Sequence, residues 1–427
     1  MLPHRADCVT ERTPFLRVGP GRRYRARPMG MVLVLPVTTA GQLGPVAAYV
    51  STAGWAAAAH RVTGGAWIIT PSGEMSVEEA RAAGSAVSLA SRSERGWRAR
   101  VPAVAATLVK DARAAGRSRR FAIDGAGPWP PGSVDLVWQR HELFHHAGVD
   151  LAARLEVPSV VFVPATAVWE ARRWGVQRPG WGPVVEHLGE SRILRRADLI
   201  AAGSAEVAEQ VQRLGVDPDK ILITPTGVDL EPFDRPVDRE ARRTSLGLDG
   251  RFVVGWIGSF RPFHALDRLV DALAGLPGAT LLLVGDGPER GRIEDHARAV
   301  GVEAHVTGTI AHAELPTYLA AMDAAVVVPP AGTAFHYSPL KLAEYLAAGL
   351  PVVVPDLDPV RGRVTDGVDA LVVTPGDEAA LRAALERIRG DADLAGRLRA
   401  GALLARERFT WDEQVRRVTS RLGINRS

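Results

Sequence analysis

From Met31 onward, short apolar runs alternate with stretches of helical spacing: MVLVLPV, AWIIT, FAI, DLVWQ, SVVFVP, DLIAAG and KILITP in the first half. The second half repeats the grammar with FVVGWIGS, TLLLVGDG, HVTG, AAVVVPP, PVVVP and ALVVTP. Runs this short and continuous suit strands buried on both faces, and their alternation with helices predicts parallel sheets covered by helices. The fold class is therefore α/β, with two Rossmann-like, doubly wound domains in series. Residues 29–228 form the first, 229–246 a proline- and charge-rich linker, and 247–407 the second. Ligands of open parallel sheets bind at the carboxyl ends of the strands, so two such domains facing each other enclose a cleft.

The most informative segment is FHYSPLKLAEYLAAGLPVVVP, Phe335 to Pro355. Ser338 suits an N-cap and Pro339 the first helical turn, and Gly349 suits the left-handed residue that ends a helix. Lys341 and Glu344 then share a face about 4.5 Å apart along the axis, with the lysine nearer the positive end of the helix dipole. A nucleotide diphosphate fits that layout: the lysine neutralises phosphate oxygens, and the acceptor-only carboxylate takes the two hydroxyls of a ribose diol. An ordinary solvated Lys and Glu pair fits the same spacing. Composition favours the ligand, because Lys110, Lys220 and Lys341 are the only lysines in an arginine-dominated chain.

Charge and composition narrow the rest. With 46% hydrophobic and 23% charged residues and a net charge of +4 over 427 residues, nothing demands a nucleic-acid partner. The single cysteine, Cys8, excludes an intramolecular disulfide framework and a cysteine metal cluster, leaving cytoplasm as the expected compartment. The apolar stretch from Gly44 to His60 is too short and too punctuated by glycine for a membrane span and reads as a buried helix. Residues 1–28 carry seven arginines without an apolar core, which predicts a disordered basic tail; peripheral association with anionic lipid stays open.

Turns rich in glycine follow three strands of the second half: Gly258-Ser259, then Gly285-Asp286-Gly287-Pro288, then Gly308-Thr309. In this order, and followed by SPLKLAEY, they resemble the donor domain of family 4 glycosyltransferases. The resemblance covers most of the chain from about Pro36 and is strongest between Val253 and Asp377. It implies a GT-B fold, and a last helix from Arg408 to residue 427 that returns to the first domain with Trp411 as anchor. It also implies a retaining, metal-independent transferase needing no cofactor beyond its nucleotide-sugar donor. The acceptor, a natural product or a cell-envelope glycan, is left unidentified.

Residue by residue, the resemblance places the donor against Gly258, Ser259, His264, Gly285 and Gly287, with the base paired to the backbone of Thr309 or Ile310. The phosphates and sugar fall at His336, Tyr337, Ser338, Pro339 and Leu340, and the ribose at Glu344. Two departures stand out: Ser259 and His264 replace the usual arginine and lysine, and His336 replaces the first of a glutamate pair. Lys341 and Arg261 are then the expected sources of catalytic positive charge. In the first half, Arg140 and His141 at a strand end match the segment presented between donor and acceptor, and Glu170 matches an acceptor-side glutamate. The HxxxH spacing of His141 and His145 could mimic half a metal site but has no partnering carboxylate motif, and Asp356 and Asp358 lie in an ordinary loop of this fold, so no metal is expected. A catalytically silent nucleotide-sugar binder and a nucleotide-sugar epimerase are the alternatives.

Overall fold

The computed structural model describes residues 15–18, 22–25, 30–34, 46–70, 73–80, 103–120, 129, 132–173, 175–328, 340–357 and 360–424. Part of the segment expected as a disordered tail is ordered into a ladder: β1 (Phe15–Val18) pairs antiparallel with β2 (Arg22–Arg25). The intervening Gly-Pro-Gly is strong turn chemistry, which the arginine count obscured.

The first large sheet comprises β3 (Met31–Val34), β4 (Ala66–Thr70), β5 (Gly73–Met75), β6 (Leu136–Arg140), β7 (Ser159–Val163), β8 (Leu199–Ala202) and β9 (Ile221–Ile223). Their order is β5-β4-β3-β6-β7-β8-β9, parallel except at β5. The expected strand FAI lies outside the described residues. The second sheet comprises β10 (Phe252–Ile257), β11 (Ala279–Val284), β12 (Glu303–Val306), β13 (Ala324–Val326), β14 (Val352–Pro355) and β15 (Leu371–Val373). It is parallel throughout, in the order β12-β11-β10-β13-β14-β15.

Burial on both faces explains the apolar runs. Along β10 and β11, Val254, Trp256, Leu281 and Leu283 enter one core while Val253, Ile257, Leu282 and Val284 enter the other. Side chains alternate across a strand, so each position must be apolar when helices cover both faces.

The segment expected as a linker is half helix. Asp238 caps the helix Arg239–Leu246 by accepting from the Ala241 N–H. Arg243, only 6% exposed, is held by Asp323 at 3.1 Å and by the carbonyls of Ala321 and Leu248. This helix packs on the second unit, which leaves residues 229–237 as the connection without regular helix or strand. The last helix, Trp411–Arg421, lies on the helix Val46–Thr63 of the first unit. Trp411 packs at a tilt with its ring 6.0 Å from that of Trp55, which is 5.5 Å from that of Trp138. The chain thus crosses between units twice, and the crossings are tied: the Val228 N–H donates to the Phe409 carbonyl and the Trp411 N–H to the Val228 carbonyl. On the cleft side, Arg363 of the second unit donates to the carbonyl of Gly203, just past β8, at 3.2 Å.

Candidate functional site

The three glycine turns come together at the carboxyl ends of β10, β11 and β12. Gly258 donates its N–H to the Val284 carbonyl, Phe260 to that of Asp286, and Gly285 bridges Gly308. Gly285 sits at φ 141°, and a Cβ there would lie 1.9 Å from the Gly258 carbonyl oxygen. Only glycine permits both that backbone and that approach. Thr309 and Ile310 follow at this edge, both part-buried, with Ile310 packed on the core.

The helix Leu340–Ala347 docks on the same place. Tyr345, fully buried, accepts the Ile257 N–H at 3.0 Å and so pins the helix to the end of β10, one residue before the first glycine turn. One turn earlier, Lys341 lays its ammonium over the Trp256 ring, 4.6 Å from the centroid. Burial pushes the lysine down to about 7, the charge of Glu344 opposing the shift. Arg261 is exposed at the turn, and Ser259 is part-buried. His336, Tyr337, Ser338 and Pro339 lie outside the described residues, as does the expected Ser-Pro start, and the described helix begins at Leu340.

His264 is 6% exposed and packs edge-on against Trp256 at 5.0 Å. Burial, then Lys341 and Arg261, push it down to about 2, so it remains neutral and supplies no cation in place of the missing lysine. Glu344 is 5% exposed, and its Oε1 lies 2.9 Å from Nε2 of His312.

On the first sheet, Arg140 and His141 separate. Neighbours at a strand end point to opposite faces, and the His141 N–H continues the ladder by donating to the Phe162 carbonyl. Arg140 lies towards the helix Val46–Thr63, with Nη1 3.3 Å from Ser51 Oγ; burial lowers its pKa, opposed by the charges of Glu142 and Glu170. The expectation of a cleft-facing His141 is corrected: the ring is 4% exposed and Nε2 lies 2.9 Å from Glu190. Glu190 also accepts the N–H groups of Ala167 and Val168 at 2.5 and 3.1 Å, making an interior clamp that also fixes the start of the Glu170 helix.

The structure therefore brings Lys341, Glu344, Arg261, His264, Gly258, Ser259, Gly285 and Gly287 to one sheet edge, and Arg140 with Glu170 to the other. Sequence reasoning missed Trp256, Tyr345, His312 and Glu190. Tyr345 alone left a signal, four residues after Lys341 and hence on its helix face. Among the described residues no group of three or more His, Cys, Asp or Glu could hold a metal ion, and no helix is long and apolar enough to cross a membrane.

Residues 52–232 match the family described as Glycosyltransferase Family 4, and residues 251–391 match Glycosyl transferases group 1. The D-inositol 3-phosphate glycosyltransferase of Stackebrandtia nassauensis is 32% identical over 299 residues, which is 66% of this chain and 66% of that protein. The 2-deoxystreptamine N-acetyl-D-glucosaminyltransferase of Streptomyces fradiae is 35% identical over 214 residues, 48% of this chain and 49% of that one. A crystal structure of Anabaena HepE in complex with UDP superposes with a TM-score of 0.61 at 17% identity, over 92% of this chain and 100% of its own, a likeness of fold.

Proposed function

That this chain belongs to family 4 of the glycosyltransferases, with their GT-B fold, is the premise from which we propose that it moves a sugar from a nucleoside diphosphate to a cyclitol acceptor. Transfer proceeds with retention of configuration and without a metal ion. The observation that carries this reading is the convergence of Lys341 and Glu344, on one helix, with three glycine turns at one sheet edge. Glycine turns let a diphosphate approach backbone N–H groups, Lys341 faces its oxygens, and Glu344 takes the ribose diol.

As the glycosidic bond breaks, negative charge grows on the departing diphosphate. A cation already desolvated at that position stabilises the transition state more than the ground state. Lys341 is such a group, and Arg261 at the rim adds a second charge. Movement of one unit on the other, about the chain between Val228 and Asp238, closes the cleft and excludes water that would hydrolyse the donor. A cytoplasmic supply of nucleotide sugar fits this reading.

The relatives support a cyclitol as the acceptor class. D-inositol 3-phosphate and 2-deoxystreptamine are both substituted cyclohexane polyols. On this chain Arg140, with Glu142 and Glu170 near its charge, offers both a cation and carboxylates to a polyol. Nucleoside-diphosphate sugars are incubated with inositol, inositol phosphate and 2-deoxystreptamine, and products are identified by mass spectrometry. A glycosylated cyclitol is expected. Donor isomerised without acceptor, or saturable donor binding with no transfer to any acceptor, overturns the proposal.

A further inference from the structure

His312 starts the short turn after β12, two residues beyond Ile310. It meets the donor helix across a gap of 32 positions, where its Nε2 lies 2.9 Å from Glu344 Oε1. The exposures of the two side chains are unequal: 38% for His312 and 6% for Glu344. A carboxylate removed from water needs donors, and among the described residues His312 is the side chain that bonds this one.

We infer that His312 is a positioning residue for donor recognition: its Nε2–H fixes Glu344 Oε1, leaving Oε2 and the second lone pair of Oε1 set for the two ribose hydroxyls. Each carboxylate oxygen accepts two hydrogen bonds, so the histidine and the diol do not compete for the same lone pairs. The inference rests on the ribose role proposed for Glu344. Burial opposes a charge on His312, yet the hydrogen bond and charge of Glu344, joined by the charge of Asp229, raise its pKa above the ordinary value. The charged form, in which both ring nitrogens carry a proton, therefore persists to higher pH than in a free imidazole.

A positioning role differs from plain packing in its dependence on the ligand's hydroxyls. The affinities of UDP, GDP and ADP are measured by calorimetry, and the tightest binder is compared with its 2′,3′-dideoxy counterpart. His312→Ala is expected to weaken the ribonucleotide about 10-fold, as for one charge-assisted hydrogen bond, while changing the dideoxynucleotide less than about twofold. His312→Gln, which keeps an N–H donor and guards against misfolding of the alanine variant, is expected to recover most of the loss. Equal weakening of both nucleotides by His312→Ala, with no recovery in His312→Gln, overturns the positioning role. Glu344→Ala separates the two layers: it is expected to erase the preference for ribose, and if that preference survives, the ribose assignment itself falls.

Discussion

Lys341 lies over the indole of Trp256, a ring that is itself fully buried. The strand β10 supplies the ring, and the helix Leu340–Ala347 supplies the ammonium. An aromatic face offers partial compensation for lost water, and Glu344 offers a nearby charge, yet desolvation prevails and holds the lysine down to about 7. Such a cation gains far more from an arriving phosphate than one already solvated.

Lys341→Ala is expected to lower kcat by about 100-fold or more, the size of effect seen when one group stabilising developing charge is removed. Steady-state kinetics with saturating donor measures it. Near-normal turnover would remove the lysine from the chemistry.

Donor binding is expected to take up a proton. With the free lysine near 7, most of it is neutral at pH about 8, and diphosphate restores the charged form, so uptake approaches one proton there and vanishes below about pH 6. Calorimetry in buffers of different ionisation enthalpy reads the number directly, and Lys341→Ala abolishes it. Stability has the matching sign: between about 7 in the fold and 10.5 in the unfolded chain the unfolded state holds more protons, so this residue makes stability rise with pH over that window.

Tyr345→Phe removes the acceptor of the buried Ile257 N–H. The expected cost is about 1–3 kcal/mol, because the donor is left without a partner away from water. Denaturant unfolding checks the stability, and a parallel loss of donor affinity is expected because the same bond ties the lysine-bearing helix to the glycine turn.

The sheets were legible in the sequence because helices cover both faces: SVVFV and FVVGWI had to be apolar at almost every position, and both are strands. The helix Arg239–Leu246 escaped notice because its composition is that of a linker, and its place is set by Arg243 meeting Asp323 some 80 positions away. Distance in sequence also hid His312, which matters only because Glu344 folds against it. Arg140 and His141 are adjacent in sequence, so the sequence presents them as a pair, whereas strand alternation sends them to opposite faces. Lys341 and Glu344 were readable since one helix carries both.

Gly54→Ala is expected to destabilise the protein by about 1–3 kcal/mol, a cost typical of an overpacked core. The added Cβ would lie 2.1 Å from Nε1 of Trp411, on a ring already fixed among other aromatics. A lowered midpoint in urea, with kinetic constants of the surviving folded enzyme little changed, is the expected pattern.

Chelation by EDTA is expected to leave initial rates unaltered, since Lys341 and Arg261 are proposed to carry the charge that a divalent ion carries elsewhere. A rate that collapses and is rescued by magnesium would overturn the metal-free scheme.

Because Val228 is hydrogen-bonded to both Phe409 and Trp411, the outgoing and returning crossings are stitched at one point. A gene divided between the two sheets would therefore yield no self-sufficient half. The front piece would expose the Trp55 surface that Trp411 covers, and the rear piece would carry an orphaned tryptophan on a stray helix. A chimaera that keeps Trp55 covered would have to carry the final twenty or so residues of this chain together with its amino-terminal part.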